Sequence, residues 1–189
     1  MIGSLDKTAL RSRLRALRRE LAPTSLQAAE AAAELLPLDC LPPFRAFSGY
    51  HALGSEMDPR PLMRRLARTG AAQTLPVAGA REAPLTFRAW AEGEATEPDA
   101  FGIPGPLATA ETILPDLVIA PILGFTRKGD RLGQGAGHYD RTLLNLRALK
   151  PVFVLGLAYS GQELSDLPAE PHDQRLDAIL TETDYIEVG

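Results

Sequence analysis

The chain has 189 residues, 45% of them apolar and 23% charged, with a formal charge of −4 at pH 7. That is the composition of one ordinary globular domain spanning 1–189, and its acidic balance argues against a general nucleic-acid partner. The single cysteine, Cys40, excludes an intrachain disulfide and a cysteine-based metal site; with no membrane-length apolar run and no secretory signal, a cytoplasmic protein with no membrane partner is expected.

Residues 5–21 read as a helix with two stripes. Leu10, Leu14, Leu17 and Leu21 recur at three- and four-residue spacing and are expected to face the core. Lys7, Arg11, Arg15 and Arg18 form a basic stripe of the same period, which ordinary amphipathic logic leaves in solvent. The stretch "PTSLQ" opens a second helix, with Thr24 as N-cap and Gln27 closing a capping box, and this helix ends before Pro37. "FRAFSGY" (44–50) suits a short strand. Pro59 or Pro61 starts the helix "PRPLMRRLART", which Gly70 terminates. "LTFRAW" (85–90) alternates with the period of a half-buried strand. Residues 92–106, rich in Gly, Pro and acidic side chains, read as a long loop of the kind that is functional or disordered.

"DLVIAPILGF" (116–125) is a near-continuous apolar run, as a central parallel strand covered on both faces requires. A glycine-rich segment follows, then a helix through "YDRTLLNLRAL" (139–149). "PVFVLGLAY" (151–159) is a second buried strand, and "DAILTETDYIEV" (177–188) holds a last one. Helices alternating with strands define an α/β class with a largely parallel sheet. No internal repeat or domain linker interrupts the chain.

The glycine-rich segment is "RLGQGAGHYDR" (131–141). A strand, a glycine turn and a helix N-terminus in that order form an anion cradle, because small residues let backbone N–H groups approach phosphate. The spacing matches neither G-x-G-x-x-G nor G-x-x-x-x-G-K-[ST], so the usual dinucleotide fold and the standard P-loop are disfavoured. A tight turn with no ligand is the plain alternative. Against it stand the basic residues Arg127, Lys128 and Arg131. Asp140 beside them would repel phosphate unless a divalent cation lay between, and Mg²⁺ is commonly held by one or two carboxylates plus phosphate oxygens.

"GFTRKGDRLGQGAGHYDR" (124–141) closely resembles the signature of the 5-formyltetrahydrofolate cyclo-ligase family. The resemblance extends to "K-x-x-x-R" (Lys7 to Arg11), "GSEMDPRPL", "LTFRAW", "DLVIAPILGF", "LGLAYSGQ" and "PHDQRLDAILTE". It implies a three-layer α/β/α fold similar to the ribose-5-phosphate isomerase and CoA-transferase type. It also implies conversion of 5-formyltetrahydrofolate to 5,10-methenyltetrahydrofolate, with ATP as co-substrate and Mg²⁺ as cofactor, releasing ADP and phosphate. By the same resemblance Lys7 and Arg11 contact the ATP phosphates, and Arg131, Leu132, Gly133, Gln134, Gly135, Ala136, Gly137, His138 and Tyr139 wrap the nucleotide. Asp140 and Asp173 hold magnesium, Glu56 binds the pterin ring, and His51, Gln134 and His138 touch the folate. Lys7, Arg131 and Asp140 carry the catalysis.

In that chemistry the formyl oxygen attacks the γ-phosphate, the folate's second nitrogen closes the ring, and phosphate departs. Such a reaction needs positioning and charge neutralisation rather than a nucleophilic triad. Two positions depart from the family pattern. Ala136 stands where Gly or Lys is usual, and fits only with backbone angles open to a side-chain carbon; His138 replaces a tyrosine. Arg13, Arg15, Arg18 and Arg19 are expected at the surface, Trp90 and Tyr159 in packing roles, and Asp177 competes with Asp173 as metal ligand. Small-molecule substrates and a monomer or weak homodimer complete the expectation. A non-catalytic folate- or nucleotide-binding paralogue, or a sugar-phosphate isomerase or acyl-transferase relative, are the alternatives that fold alone leaves open.

Overall fold

The computed structural model describes residues 7–168, 170 and 172–189. Two helices open it, α1 (Lys7–Leu21) and α2 (Ser25–Leu35), followed by β1 (Ala46–Ser48), α3 (Arg60–Ala67), β2 (Ala72–Val77) and β3 (Thr86–Ala89). Next come β4 (Thr96–Pro98), β5 (Pro104–Pro106), β6 (Leu117–Pro121), β7 (Gly124–Phe125) and β8 (Arg131–Leu132). The chain finishes with α4 (His138–Leu149), β9 (Phe153–Leu157), β10 (Ala178–Leu180) and β11 (Tyr185–Glu187). Residues 5 and 6 of the expected first helix lie outside the described residues.

Seven strands form the main sheet in the order β11-β10-β9-β6-β1-β2-β3. From β10 through β2 every neighbouring pair is parallel, while β3 and β11 add antiparallel edges. The largely parallel α/β architecture expected from the alternation of elements is therefore the observed one. Along β6 the side chains divide by parity, as the pleat requires. Leu117 and Ile119 join the α2 and α3 side with Ala32, Leu62 and Leu66; Val118 and Ala120 join the α4 side with Leu143 and Leu146. Each fully buried aliphatic side chain contributes about 1.5–3 kcal/mol, so β6 is held from both faces. α1 packs Leu10 and Leu14 on Leu123 and Leu132, beyond the end of β6. No helix among the described residues is long and apolar enough to cross a membrane.

Three local expectations need correction, and one strand was not expected at all. β2 has no counterpart in the sequence reading: "AQTLPV" contains a proline, and only Thr74 and Leu75 are fully buried, so it carries no apolar period. The 92–106 segment is not open loop but holds the antiparallel hairpin β4–β5. Its turn is organised by Asp99, whose carboxylate accepts the N–H groups of Phe101 (2.8 Å), Ile103 (3.0 Å) and Ala78 (3.1 Å). Thr24 precedes α2 but forms no capping box. A 3₁₀ turn carries the chain almost continuously from α1 into α2, and the Thr24 hydroxyl donates back to Leu21 O at 3.0 Å. The apolar run 116–125 is two strands, since β7 leaves the sheet after Pro121 and pairs with β8.

Candidate functional site

The C-terminal ends of β1, β2 and β6 open onto a cavity of about 480 Å³, the position at which open α/β sheets bind ligands. The residues that the resemblance assigns line it: Lys7, Arg11, His51, Glu56, the whole segment from Arg131 to Tyr139, Asp140 and Asp173; Arg127 and Lys128 do not, Arg127 pairing instead with Glu163 and Asp184. Residues separated by more than 160 positions thus meet around one space.

The glycine turn makes the floor. Gly135 (φ +105) and Gly137 (φ +69) adopt left-handed backbone, which costs any residue with a Cβ. A Cβ on Gly137 would lie 2.7 Å from the Arg141 guanidinium, and one on Gly135 3.3 Å from that of Arg11. Ala136 between them has no positive φ, so alanine meets the backbone condition set for it. Gly137 immediately precedes α4, and the first N–H groups of a helix have no intrahelical acceptor.

Lys7, Arg11 and Arg18 of the α1 basic stripe line the cavity rather than form a solvated face. Lys7 Nζ lies 3.1 Å from both Asp173 and Glu170. Arg11 Nε donates to Gly133 O (3.1 Å), and Arg15 clamps Gln134 through its side-chain oxygen (3.0 Å) and its carbonyl (3.1 Å). Arg18 donates to Ser55 Oγ (3.1 Å) and pairs with Glu56 at 3.5 Å. Arg18 is therefore a site residue, against expectation, whereas Arg15 holds the glycine turn from the surface and Arg13 and Arg19 are exposed, as expected. Arg15 and Arg18 continue the three- and four-residue spacing of Lys7 and Arg11, but that spacing alone does not say whether the stripe faces water or a cavity.

Arg131 has a side chain only 4% exposed, donating to Asp140 Oδ1 at 2.5 Å and to Gln174 O at 3.0 Å. Burial pushes its guanidinium below the usual range, with Asp140 opposing. Asp140 also accepts the Gln174 N–H at 2.9 Å. For Asp173, burial acts upward, but the Glu170 N–H and Lys7 outweigh it and hold the carboxyl below the ordinary range. Glu56 is the reverse case: burial raises it despite the Leu53 N–H, Arg18 and Gln134. Its turn closes on itself, Leu53 N–H donating to Glu56 Oε2 at 2.9 Å. The Tyr50 hydroxyl fixes the same loop by donating to Met57 O at 2.6 Å.

Glu170, His172 and Asp173 each offer an oxygen or nitrogen within 4.8 Å of the others. With Asp140 on the same cavity, oxygen donors suited to a hard divalent cation are at hand. Asp177 is no competitor. It accepts the Val154 N–H (2.7 Å) and pairs with Arg147 (2.8 Å), tying β9 to α4. Tyr159 is buried in the core and Trp90 packs against it, as expected. His138 interacts through Nδ1 with Ala83 O (3.1 Å), and its ring meets Phe101 edge-on, centroids 5.4 Å apart. Phe101, at the tip of the β4–β5 hairpin, is a cavity residue that the sequence reading did not single out.

A parallel sheet whose strand ends meet a glycine turn, a helix N-terminus and a basic wall defines an α/β protein with a basic ligand cavity at the ends of its strands. Residues 4–182 match the model of the 5-formyltetrahydrofolate cyclo-ligase family, and the chain belongs to that family. It is 36% identical over 145 residues to the 5-formyltetrahydrofolate cyclo-ligase of Mycolicibacterium smegmatis, covering 72% of this chain and 73% of that one. The Escherichia coli K12 enzyme of the same name is 34% identical over 131 residues, covering 67% and 71%. In fold, the chain is similar to Aquifex aeolicus 5,10-methenyltetrahydrofolate synthetase, with a TM-score of 0.77 at 24% identity over 96% of this chain and 92% of that one.

Proposed function

We infer that the protein converts 5-formyltetrahydrofolate and ATP to 5,10-methenyltetrahydrofolate, ADP and phosphate, with Mg²⁺ as cofactor. The observation that carries this reading is the convergence of the residues the resemblance assigns on one cavity at the sheet's C-terminal end. Lys7, Arg11 and the N–H groups from Gly133 to Tyr139 neutralise and orient the triphosphate. Glu56 accepts from the pterin edge, and His51, Gln134 and His138 complete the folate subsite. The formyl oxygen attacks the γ-phosphorus and the bond to ADP breaks. The folate's second nitrogen then attacks the activated carbon and loses its proton, and phosphate leaves with the former formyl oxygen.

Asp140 and Asp173 are the residues that would hold Mg²⁺, with Glu170 and His172 beside Asp173. The ion would supply charge neutralisation for the phosphates. Arg131 acts from beneath, orienting Asp140. A cytoplasmic monomer or weak homodimer acting on two small molecules accords with this reading. The test is product absorbance from 5-formyltetrahydrofolate with and without ATP and Mg²⁺. Product that forms only with both supports the inference. No product with folate or ATP binding retained indicates the non-catalytic paralogue, and neither turnover nor binding refutes the site.

A further inference from the structure

Arg18 is the buried end of the α1 stripe, and the family reading leaves it without a role. Its side chain is 6% exposed and that of Glu56 7%, with Nη1 3.5 Å from Glu56 Oε1. Both line the cavity. A buried ion pair is weak evidence of stabilisation, since apolar residues of similar volume serve as well or better. This pair is also not left to itself: Ser55 Oγ accepts from Arg18 Nε at 3.1 Å, and Leu53 N–H donates to Glu56 Oε2 at 2.9 Å. The Gln134 side chain also acts on the Glu56 carboxylate. Three segments (α1, the 53–56 turn and the glycine turn) thus converge on one carboxylate.

We propose that Arg18 is a positioning residue of the folate subsite, holding Glu56 as a carboxylate anion that can accept both N–H donors of the substrate's pterin edge. The proposal rests on reading Glu56 as the pterin acceptor. The aminopyrimidinone edge of a reduced pterin presents a ring N–H beside an exocyclic amine. An ionised carboxylate accepts from both, whereas a protonated one places a donor where an acceptor is needed.

Burial works against the anion, and Arg18 is the cation that opposes it. The other titratable groups around Glu56 are Tyr50, beyond β1, and Tyr139, on α4, with His51 also on the cavity wall. Burial drives both phenols upward, so they stay neutral through the working range and cannot replace the cation. Without Arg18, Glu56 takes up its proton at higher pH.

The experiment is calorimetric titration of 5-formyltetrahydrofolate without nucleotide, from pH 5.5 to 8.5, for wild type, Arg18→Met, Arg18→Lys, Glu56→Gln and the Arg18→Met/Glu56→Gln double variant. Arg18→Met is expected to weaken folate binding at least tenfold at pH 7, to move its acid limb to higher pH, and to leave the ATP Kd within about twofold. Arg18→Lys keeps the charge and recovers most of the affinity, and it carries the test if the methionine variant does not fold. In the Glu56→Gln background, Arg18→Met should add less than about a twofold loss. Unchanged folate affinity and acid limb in the Arg18 variants would overturn the proposal while leaving Glu56 as acceptor. So would a full Arg18→Met loss in the Glu56→Gln background. If Glu56→Gln alone leaves folate affinity unchanged, the acceptor reading itself falls and the proposal falls with it.

Discussion

Lys7 Nζ sits 3.1 Å from Asp173 Oδ2, so the lysine proposed to grip phosphate rests on a carboxylate proposed to hold the metal. Arg131 stands in the same relation to Asp140 at 2.5 Å. Each carboxylate is thus neutralised by the chain's own cation, and on the proposed reading Mg²⁺ and nucleotide would compete for these charges. Lys7→Met is expected to lower kcat/KM for ATP by about 10²–10³-fold, the scale of losing one preorganised charge contact. Stability should change by no more than about 1 kcal/mol, because the pair is partly exposed. Steady-state kinetics and thermal melting together check this, and a near-wild-type kcat/KM would remove Lys7 from the phosphate site.

Asp140→Asn is expected to abolish Mg²⁺-dependent turnover with the fold intact. The amide oxygen can still accept from Arg131 and from the Gln174 N–H, so Arg131 keeps a neutral partner. Deleting the group instead, as in Asp140→Ala, leaves a buried guanidinium unpaired and costs about 3–5 kcal/mol. Turnover near wild type in the asparagine variant would take Asp140 out of the metal site.

Asp116 predicts an acid limb of stability. It accepts the N–H groups of Arg45 (2.7 Å) and Ala46 (3.0 Å) and pairs with Lys150, linking β1, β6 and the end of α4. Burial acts upward on the carboxyl, but these partners outweigh it and lower its pKa in the fold. A carboxyl depressed on folding gives stability that is complete above its unfolded pKa, about 3.9, and is lost as pH falls through the lower folded value. Asp116→Asn should therefore cost about 1 kcal/mol at pH 7 and flatten the fall in melting temperature between neutral and acid pH. An unaltered acid limb in melts taken from pH 7 to pH 3 would show that other carboxylates carry it.

Strong periods were legible in the sequence, and weak ones were not. β6 and β9 announced themselves because strands buried on both faces read as unbroken apolar runs. β2 did not, since its burial comes from its neighbours rather than from its own residues. The glycine turn could be read because left-handed backbone demands particular residues there. The roles of Arg15 and Arg18 could not, because a basic stripe reads alike whether it faces water or a cavity. Glu170 and His172 beside the predicted Asp173 were within reach of short-range spacing, whereas Phe101 is a tertiary fact: spacing does not say which loop tip meets which strand end.

Phe101 and His138 meet edge to face with centroids 5.4 Å apart, and Ala83 O contacts His138 Nδ1 at 3.1 Å. His138→Tyr keeps an aromatic partner for Phe101 and loses the Ala83 contact. Its turnover is expected within about tenfold of wild type, since one such bond contributes about 0.5–1.5 kcal/mol. His138→Ala and Phe101→Ala should each raise the KM for folate more than the KM for ATP. Equal effects on both substrates would show that the pair supports the fold rather than the folate side of the cavity.

Gly137 and Ala136 give a paired test of the turn. Gly137 holds φ +69 at the start of α4, and a Cβ there would approach the Arg141 guanidinium to 2.7 Å. That guanidinium in turn donates to Ala136 O at 2.8 Å and to Arg81 O at 3.1 Å. Gly137→Ala therefore strains the backbone by about 1–2 kcal/mol and displaces the side chain that fastens the turn. ATP affinity should drop by tenfold or more, with a lowered melting temperature. Ala136→Gly, at a position without left-handed backbone, should leave ATP affinity within about twofold and cost only about 0.4–1 kcal/mol through the unfolded chain. Equal loss of ATP affinity in the two variants would mean that the turn binds through its sequence as a whole rather than through the conformation Gly137 supplies.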